Sequence, residues 1–384
     1  MPIETDILKS LCGDKHPAHS IPFDELYKGL MDEVKAGNVN VVTNDTKELE
    51  LFSYSIGCQF DNNWNMFSLV SRGLILCPSQ KKIVATSFPK FFNFGEIDYW
   101  IPDEWFEVTE KMDGSLGIVF YWDNDWRVAT RGSFQSDQAK WAKKWLDENL
   151  AVEEMTVGYT YLTEIIYKEN RIVISYQYEG LALLTAYNSI GRELPTGLLM
   201  GEEIGFLPIK TFSYKTLDEM LEKAKVLAHD EEGFVVRFAN GYRLKIKGDE
   251  YIKIHRIISK CTPIAIWNML LSNLDITEIE KQLPEEIRND YNLIIDILNK
   301  KFEASVAEIK HLYKATLHWS DKELGLSNTK YKSLIFSARK RNLFDEVKIA
   351  DSPSRKSIFN LFYPKGNELE GYTPLSSMNI FRDS

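Results

Sequence analysis

One lysine, two residues ahead of an Asp-Gly pair and flanked by two apolar segments, restricts this chain more than any other feature: Glu110-Lys111-Met112-Asp113-Gly114-Ser115-Leu116-Gly117. Glycine takes positive φ without steric cost, so Asp113-Gly114 reads as a tight turn. The segments Trp105 to Thr109 and Leu116 to Tyr121 on either side read as strands. Lys111 is thus expected at the end of a strand beside a turn, with its amine free to point into a cleft. Such an amine is a nucleophile only when deprotonated, which requires neighbouring cations or desolvation. By itself the pattern is short, and a surface lysine before a hairpin turn explains it more often than a reactive one.

Three downstream stretches change that balance. Tyr161-Leu162-Thr163-Glu164-Ile165-Ile166 is a strand-like run with one carboxylate, and Glu231-Glu232-Gly233-Phe234-Val235-Val236 is a strand opened by acid and glycine. In Arg243-Leu244-Lys245-Ile246-Lys247 the side chains alternate, so Lys245 and Lys247 share one face. Two ammonium groups side by side repel unless an anion or carboxylates lie between them.

This order of lysine, strand glutamate, Glu-Gly strand and Lys-x-Lys strand resembles the covalent nucleotidyltransferases, namely ATP-dependent DNA and RNA ligases and mRNA capping enzymes. Within them the chain is most similar to the phage-type RNA ligase 1 family. The residues that carry this are Phe52-Ser53-Tyr54, Ser71-Arg72-Gly73-Leu74-Ile75, Pro89-Lys90-Phe91-Phe92-Asn93, Lys111-x-Asp113-Gly114-Ser115-Leu116, Thr130-Arg131-Gly132-Ser133, Asn170-Arg171-Ile172-Val173 and Leu244-Lys245-Ile246-Lys247-x-Asp249-x-Tyr251. Each motif is weak alone, and their order over residues 50 to 256 gives the resemblance its force.

The resemblance implies an α+β fold: an antiparallel-sheet nucleotidyltransferase domain of the ATP-grasp-like ligase kind, expected over residues 1–261. A mainly helical C-terminal domain is expected over 262–384, where glycine thins out and amphipathic patterns lengthen. DNA ligases and capping enzymes usually carry a β-barrel module there instead. The implied activity is ATP-dependent joining of RNA 5′-phosphate and 3′-hydroxyl ends through a lysyl-AMP on Lys111, with Mg²⁺ or Mn²⁺. Tyr54, Arg72, Lys90, Glu164, Glu232, Lys245 and Lys247 are the implied ATP site, and Arg131 and Tyr251 further site residues. Arg131 stands where the family usually has lysine, and the two cations differ in geometry. Glu232 and Asp275 are the implied metal contacts. The expected partner is RNA, nicked tRNA among the candidates, for a cytoplasmic monomer engaged in RNA repair. Two other readings stay open: a DNA ligase or GTP-dependent capping enzyme using the same chemistry, and a catalytically dead RNA-binding relative.

Composition is ordinary for a soluble globular protein. The 384 residues are 44% hydrophobic and 27% charged. No apolar run reaches the ~18 residues of a membrane span, and the N-terminus lacks the basic start and apolar core of a signal peptide. Four scattered cysteines, without a Cys-x-x-Cys pair, argue against a zinc site or disulfide framework. The net charge of −10 disfavours indiscriminate binding of polyanions, yet seven Lys/Arg face two acids between Arg237 and Lys260, which suits a local basic floor. A second basic run, Lys330 to Arg341, reads as a solvated helix face or an RNA-backbone surface.

Other local expectations are a helix over Phe23 to Val34, a hairpin turning at Asp123-Asn124-Asp125, and a helix over Asp137 to Leu150 with Trp141 and Trp145 in the core. Val173 to Tyr178 and Leu181 to Tyr187 are expected to pair across Glu179-Gly180, Leu217 to Ala228 to form a helix, and Asn240-Gly241 to turn a hairpin. Phe91-Phe92 is expected to pack core rather than stack a base.

Overall fold

The structure is a computed structural model that describes residues 5–13, 15–96, 100–171, 173–194, 201–228, 230–258, 261–283, 285–341 and 354–373. The chain divides into two compact units, Met1–Ile252 and Lys253–Ser384. The first holds fourteen described strands: β1 (Val39–Thr43), β2 (Glu50–Tyr54), β3 (Arg72–Cys77), β4 (Lys82–Ala85), β5 (Phe92–Asn93), β6 (Phe106–Glu110), β7 (Ser115–Trp122), β8 (Asp125–Thr130), β9 (Thr160–Ile166), β10 (Gly180–Tyr187), β11 (Glu193–Leu194), β12 (Thr211–Phe212), β13 (Gly233–Phe238) and β14 (Arg243–Lys247). They form three sheets, ordered β1-β2-β3-β4, β11-β10-β9-β7-β8 and β12-β6-β13-β14-β5. Pairing is antiparallel throughout except for β14 with β5, which is parallel. The architecture is α+β, as the sequence implies.

Burial follows the period-2 alternation of strands. In β3, Leu74 and Leu76 pack under the helix Phe23–Lys35 with Leu26, Leu30 and Phe52. Ile75 and Cys77 point the other way, onto Ile118, Phe120 and Leu162 of the second sheet. A strand covered on both faces must be apolar at every position, which is why Leu-Ile-Leu-Cys runs unbroken. Each such side chain contributes roughly 1.5–3 kcal/mol by leaving water. The helix Asp137–Asn149, capped by Ser136 on Ala139 N–H, covers the outer face of the second sheet through Ala142 and Leu146. Trp141 and Trp145 are half-buried and stacked at 5.3 Å, with Tyr167 stacked on Trp141 at 4.4 Å.

The structure differs from the sequence expectation at the central motif. Strands β6 and β7 do not form a hairpin, because they belong to different sheets. Lys111 to Gly114 is the crossing between the sheets. Gly114 is not at positive φ; a Cβ there would meet the Ile165 carbonyl oxygen at 2.6 Å. Close backbone approach therefore demands this glycine. Nor do residues 173–178 form a strand: the N–H groups of Val173 and Ile174 donate to the Asp113 carboxylate instead of a ladder. Strand β10 pairs with β9. The β7–β8 turn is one residue shorter than expected, with Asp123 and Asn124 both at positive φ, as a two-residue hairpin requires. The β13–β14 hairpin forms as expected, with Gly241 at φ +84°.

Among the described residues the second unit is helical: Pro263–Leu271, Thr277–Gln282, Glu285–Ala315, Asp321–Leu326, Lys332–Arg341 and Ser354–Phe359. Trp267 Nε1 donates to the Phe359 carbonyl at 2.9 Å, and Phe302 packs on Phe359 at 4.9 Å between centroids. No described helix is long and apolar enough to cross a membrane.

Candidate active site

Strands β6, β13 and β14 are consecutive neighbours, and their ends hold the central residues. Lys111 N–H donates to the Gly233 carbonyl at 2.9 Å, so the residue after β6 is fixed against the start of β13. Gly233 has φ +142°, and a Cβ there would lie 2.0 Å from the Ile246 carbonyl oxygen; no other residue fits between the strands. Gly233 also pairs with Lys247 across the β13–β14 ladder. Glu232 is thereby delivered between two lysines: its Oε2 lies 2.7 Å from Lys111 Nζ and its Oε1 3.0 Å from Lys247 Nζ. Its side chain is only 2% exposed.

Electrostatics follow from that geometry. Burial alone would lower the Lys111 pKa, but Glu232 and Glu164 hold it above the usual lysine value. Burial would likewise raise Glu232, and Lys111 and Lys247 hold it below the usual carboxylate value. Among the chain's own residues Lys111 is therefore a paired ammonium, not the depressed amine that a nucleophile flanked by lysines would be. The resemblance implies Lys245 and Lys247 beside Lys111, but not that the Glu232 carboxylate is inserted between Lys111 and Lys247. Glu164, on β9, accepts from Gly114 N–H at 3.0 Å. Burial pushes it up to about 7, with Lys111 and Arg72 opposing and Glu232 reinforcing.

Cations collect around the edge of β14. Strand β5 pairs in parallel with Leu244 and Lys245, which brings Lys90 to Asn93 beside them. Phe91 is the shared seat: Lys245 Nζ lies 4.7 Å from its ring centroid and the Arg72 guanidinium 5.0 Å. Lys245 has no carboxylate partner among the described residues, and burial, Arg72, Lys111, Lys90 and Lys247 together hold its pKa well below the usual value. Arg72 Nη1 is buried with no hydrogen-bond partner. A lysine without a carboxylate and a guanidinium nitrogen without an acceptor are what an anion would satisfy. Lys90 is 5% exposed, lies 3.6 Å from Glu96, and sits over Phe92, Trp64 and Tyr54. The Arg131 guanidinium lies over the Tyr54 ring at 4.9 Å, a stacking that a lysine would not reproduce. Burial would raise the Tyr54 pKa, but Arg72, Arg131 and Lys90 bring it below the usual value.

Asp113 was legible only as a turn residue, yet it is the anchor of the crossing. Its Oδ2 accepts from Val173 and Ile174 N–H at 2.7 and 2.8 Å, and its Oδ1 from Tyr251 Oη at 2.8 Å. Its own N–H donates to Tyr176 Oη at 2.9 Å. Burial, then Glu232, raises its pKa. Tyr176 carried no sequence signal, since only the tertiary path of 173–178 brings it here. Phe91 proves to be both core and cation seat.

Two implied elements belong to the second unit. Asp275 lies in the second unit and accepts from Thr277 N–H and Oγ1 at 2.9 and 2.6 Å. In the basic run, Lys330 pairs with Glu308, Lys332 donates to the Gly325 carbonyl, and Arg339 binds the Thr316 and Trp319 carbonyls and Asp321. Those cations hold the unit together, and Lys340 is the run's exposed member without an ion-pair partner among the described residues. The side chains of Arg341, Arg256 and Lys260, and residue Ile172, lie outside the described residues.

Residues 70–251 match the model of the RNA ligase family. An RNA ligase of Rhodothermus phage RM378 is 22% identical, over 70% of this chain and 79% of that protein. Among solved structures, an archaeal ATP-dependent RNA ligase is 15% identical over 72% of this chain and 79% of its own, with a TM-score of 0.46. A mutant RNA ligase of Naegleria gruberi, solved with ATP and Mn, is 18% identical and has a TM-score of 0.33. It covers 39% of this chain, which spans about half, 51%, of that protein.

Proposed function

We propose that the chain is an RNA ligase of the phage type, the family that its residues 70–251 match, and that it seals RNA 5′-phosphate and 3′-hydroxyl ends through a lysyl-AMP on Lys111. The observation that carries this reading is Lys111 fixed against Gly233 and paired to Glu232, beside two cations short of an anion among the described residues, Lys245 and Arg72.

In the first step the Lys111 amine gives up a proton, attacks the α-phosphorus of ATP, and forms the P–N bond as the bond to pyrophosphate breaks. Lys245 and Lys247 would hold the α-phosphate, with Arg72 and Lys90 on the phosphates beyond it. In the second step the RNA 5′-phosphate displaces Lys111 from AMP. In the third the 3′-hydroxyl attacks that activated phosphate and AMP leaves. Every step is a displacement at phosphorus, so positioning and charge neutralisation supply most of the acceleration. Glu164, near neutrality in its pKa, suits a hydrogen bond to the nucleoside. Tyr251 and Asp113 fix the crossing that carries Lys111.

A divalent cation, Mg²⁺ or Mn²⁺, is implied by the family. No group of three His, Cys, Asp or Glu side chains converges among the described residues. Mg²⁺ asks for less: one or two carboxylates, with water and substrate phosphates completing the shell. Glu232 and Glu164, both acting on Lys111, meet that need, with Asp275 the further contact that the resemblance implies. Glu232 and Glu164 would hold the ion, whose chemistry there would be neutralisation of phosphate charge.

The first unit would carry the ATP chemistry, and the helical region from about residue 262 would set RNA choice, with nicked tRNA a candidate for a cytoplasmic, monomeric repair enzyme. Incubation with α-labelled ATP or α-labelled GTP, followed by denaturing electrophoresis, tests this. Labelling from ATP that is lost in Lys111→Ala is expected. Labelling from GTP alone would make it a capping-type enzyme, and none from either would leave an RNA-binding relative.

A further inference from the structure

A cavity of about 540 Å³ opens away from the residues described above, between the β1–β2 loop, the β7–β8 hairpin and the helix Asp137–Asn149. Its floor is apolar, with Leu49 and Phe120 at 2% and 1% exposure. Half-buried Trp122 and Phe134 line it as well, and Arg127, Gln135 and Lys140 stand on the rim. The size falls within the range of small-ligand sites. Carboxylates on the rim are mostly engaged: Asp45 by Gln135 at 2.9 Å and Asp147 by Lys143 at 2.5 Å. Lys140 is exposed and has no ion-pair partner among the described residues.

The cavity is joined to the candidate active site by one short loop. Residues 131–136 leave β8 and enter the helix, and Thr130 N–H and Oγ1 bond Ser133 O and Ser136 Oγ, which makes the loop compact. Arg131 at its start covers Tyr54, and Phe134 and Gln135 near its end line the cavity. The loop thus has one end at the candidate active site and the other at the cavity.

On the reading that the chain is an RNA ligase, we propose that this cavity takes one unpaired nucleotide of the RNA strand, its base against Trp122 and Phe134 and its phosphate near Lys140. The chemistry matches. Aromatic walls offer stacking to any base, amide and charged rim groups offer partners to its exposed edges, and a cation without a carboxylate suits the backbone. A wholly apolar partner would leave Lys140 unmatched.

The test uses the full chain with a fluorescent single-stranded oligoribonucleotide, 5′-phosphorylated and 3′-blocked. Its binding is measured by anisotropy alongside lysyl-AMP formation from labelled ATP. Trp122→Leu and Lys140→Glu should each weaken RNA binding, by roughly tenfold for the lost stacking, with lysyl-AMP formation at the wild-type level. Trp122→Tyr should recover most of the affinity, which loss of packing alone would not allow. Unchanged RNA affinity in Trp122→Leu and Lys140→Glu, with adenylylation intact, overturns the proposal. Failure of the wild-type protein to form lysyl-AMP strikes the ligase reading instead, so the two failures are told apart.

Discussion

Lys111 Nζ lies 2.7 Å from Glu232 Oε2, while the other oxygen of that carboxylate is 3.0 Å from Lys247 Nζ. The proposed nucleophile is held as an ammonium by the acid that must release it. Single-turnover lysyl-AMP formation should therefore rise with pH through neutrality. Glu232→Gln should move that rise to lower pH while reducing the maximum rate. A flat wild-type profile would remove deprotonation of Lys111 from the rate. Lys111→Ala should abolish the adduct at a stability cost below the ~3–5 kcal/mol of a fully broken buried pair, because Glu232 keeps Lys247.

Lys245→Ala should slow adenylylation by roughly 10²–10³-fold, the effect of losing one aimed donor at developing charge. Lys245→Arg should restore only part, since its planar fork replaces a point charge seated on Phe91. Lys247→Ala frees one Glu232 oxygen as well. If it adenylylates normally and fails to seal, Lys247 belongs to the RNA steps.

Tyr251→Phe should leave Asp113 Oδ1 without its buried donor, at a cost of about 1–3 kcal/mol. Asp113→Ala should cost more, because Val173 and Ile174 N–H lose their acceptor too. Chemical denaturation measures both. Wild-type stability in Asp113→Ala would mean that water replaces the carboxylate.

Acidification should unfold the first unit through its histidines. His16 accepts from Ala18 N–H, and burial, His19 and Arg243 lower its pKa to about 3; burial, then Lys15, brings His19 to about 4. Both ordinarily titrate at 6.5, so the unfolded chain binds their protons first. Their contribution is present above 6.5 and is lost as pH falls toward 4, by up to about 1.4 kcal/mol per unit for each. Glu164, raised to about 7, works oppositely and offsets one of the two. His16→Asn keeps an acceptor for Ala18 and should flatten the loss. An unchanged pH slope in that variant would clear His16.

Arg339→Ala should destabilise the second unit, because its guanidinium holds the Thr316 and Trp319 carbonyls. Lys340→Ala should leave the fold unchanged, and it is the variant to use for RNA contact. If Lys340 meets the RNA backbone, its removal flattens the salt dependence of RNA binding. An identical salt slope returns Lys340 to solvent.

Local pattern alone determined much of this protein. The Asn240-Gly241 hairpin, the helices at Phe23 and Asp137 and the shared face of Lys245 and Lys247 follow from turn chemistry and periodicity, which act over a few residues. The order of Lys111, Glu164, Glu232 and the Lys-x-Lys pair was readable for the same reason. Only the tertiary structure decided that β6 and β7 enter different sheets, because sheet membership depends on partners far along the chain. That placed Asp113 within reach of Tyr251, 138 residues away. It also made 173–178 an irregular segment whose amides serve a carboxylate, although its residues favour a strand. Glu232 between Lys111 and Lys247 is of the same kind: charge and spacing name the three residues, and the β6–β13–β14 register sets which of them touch.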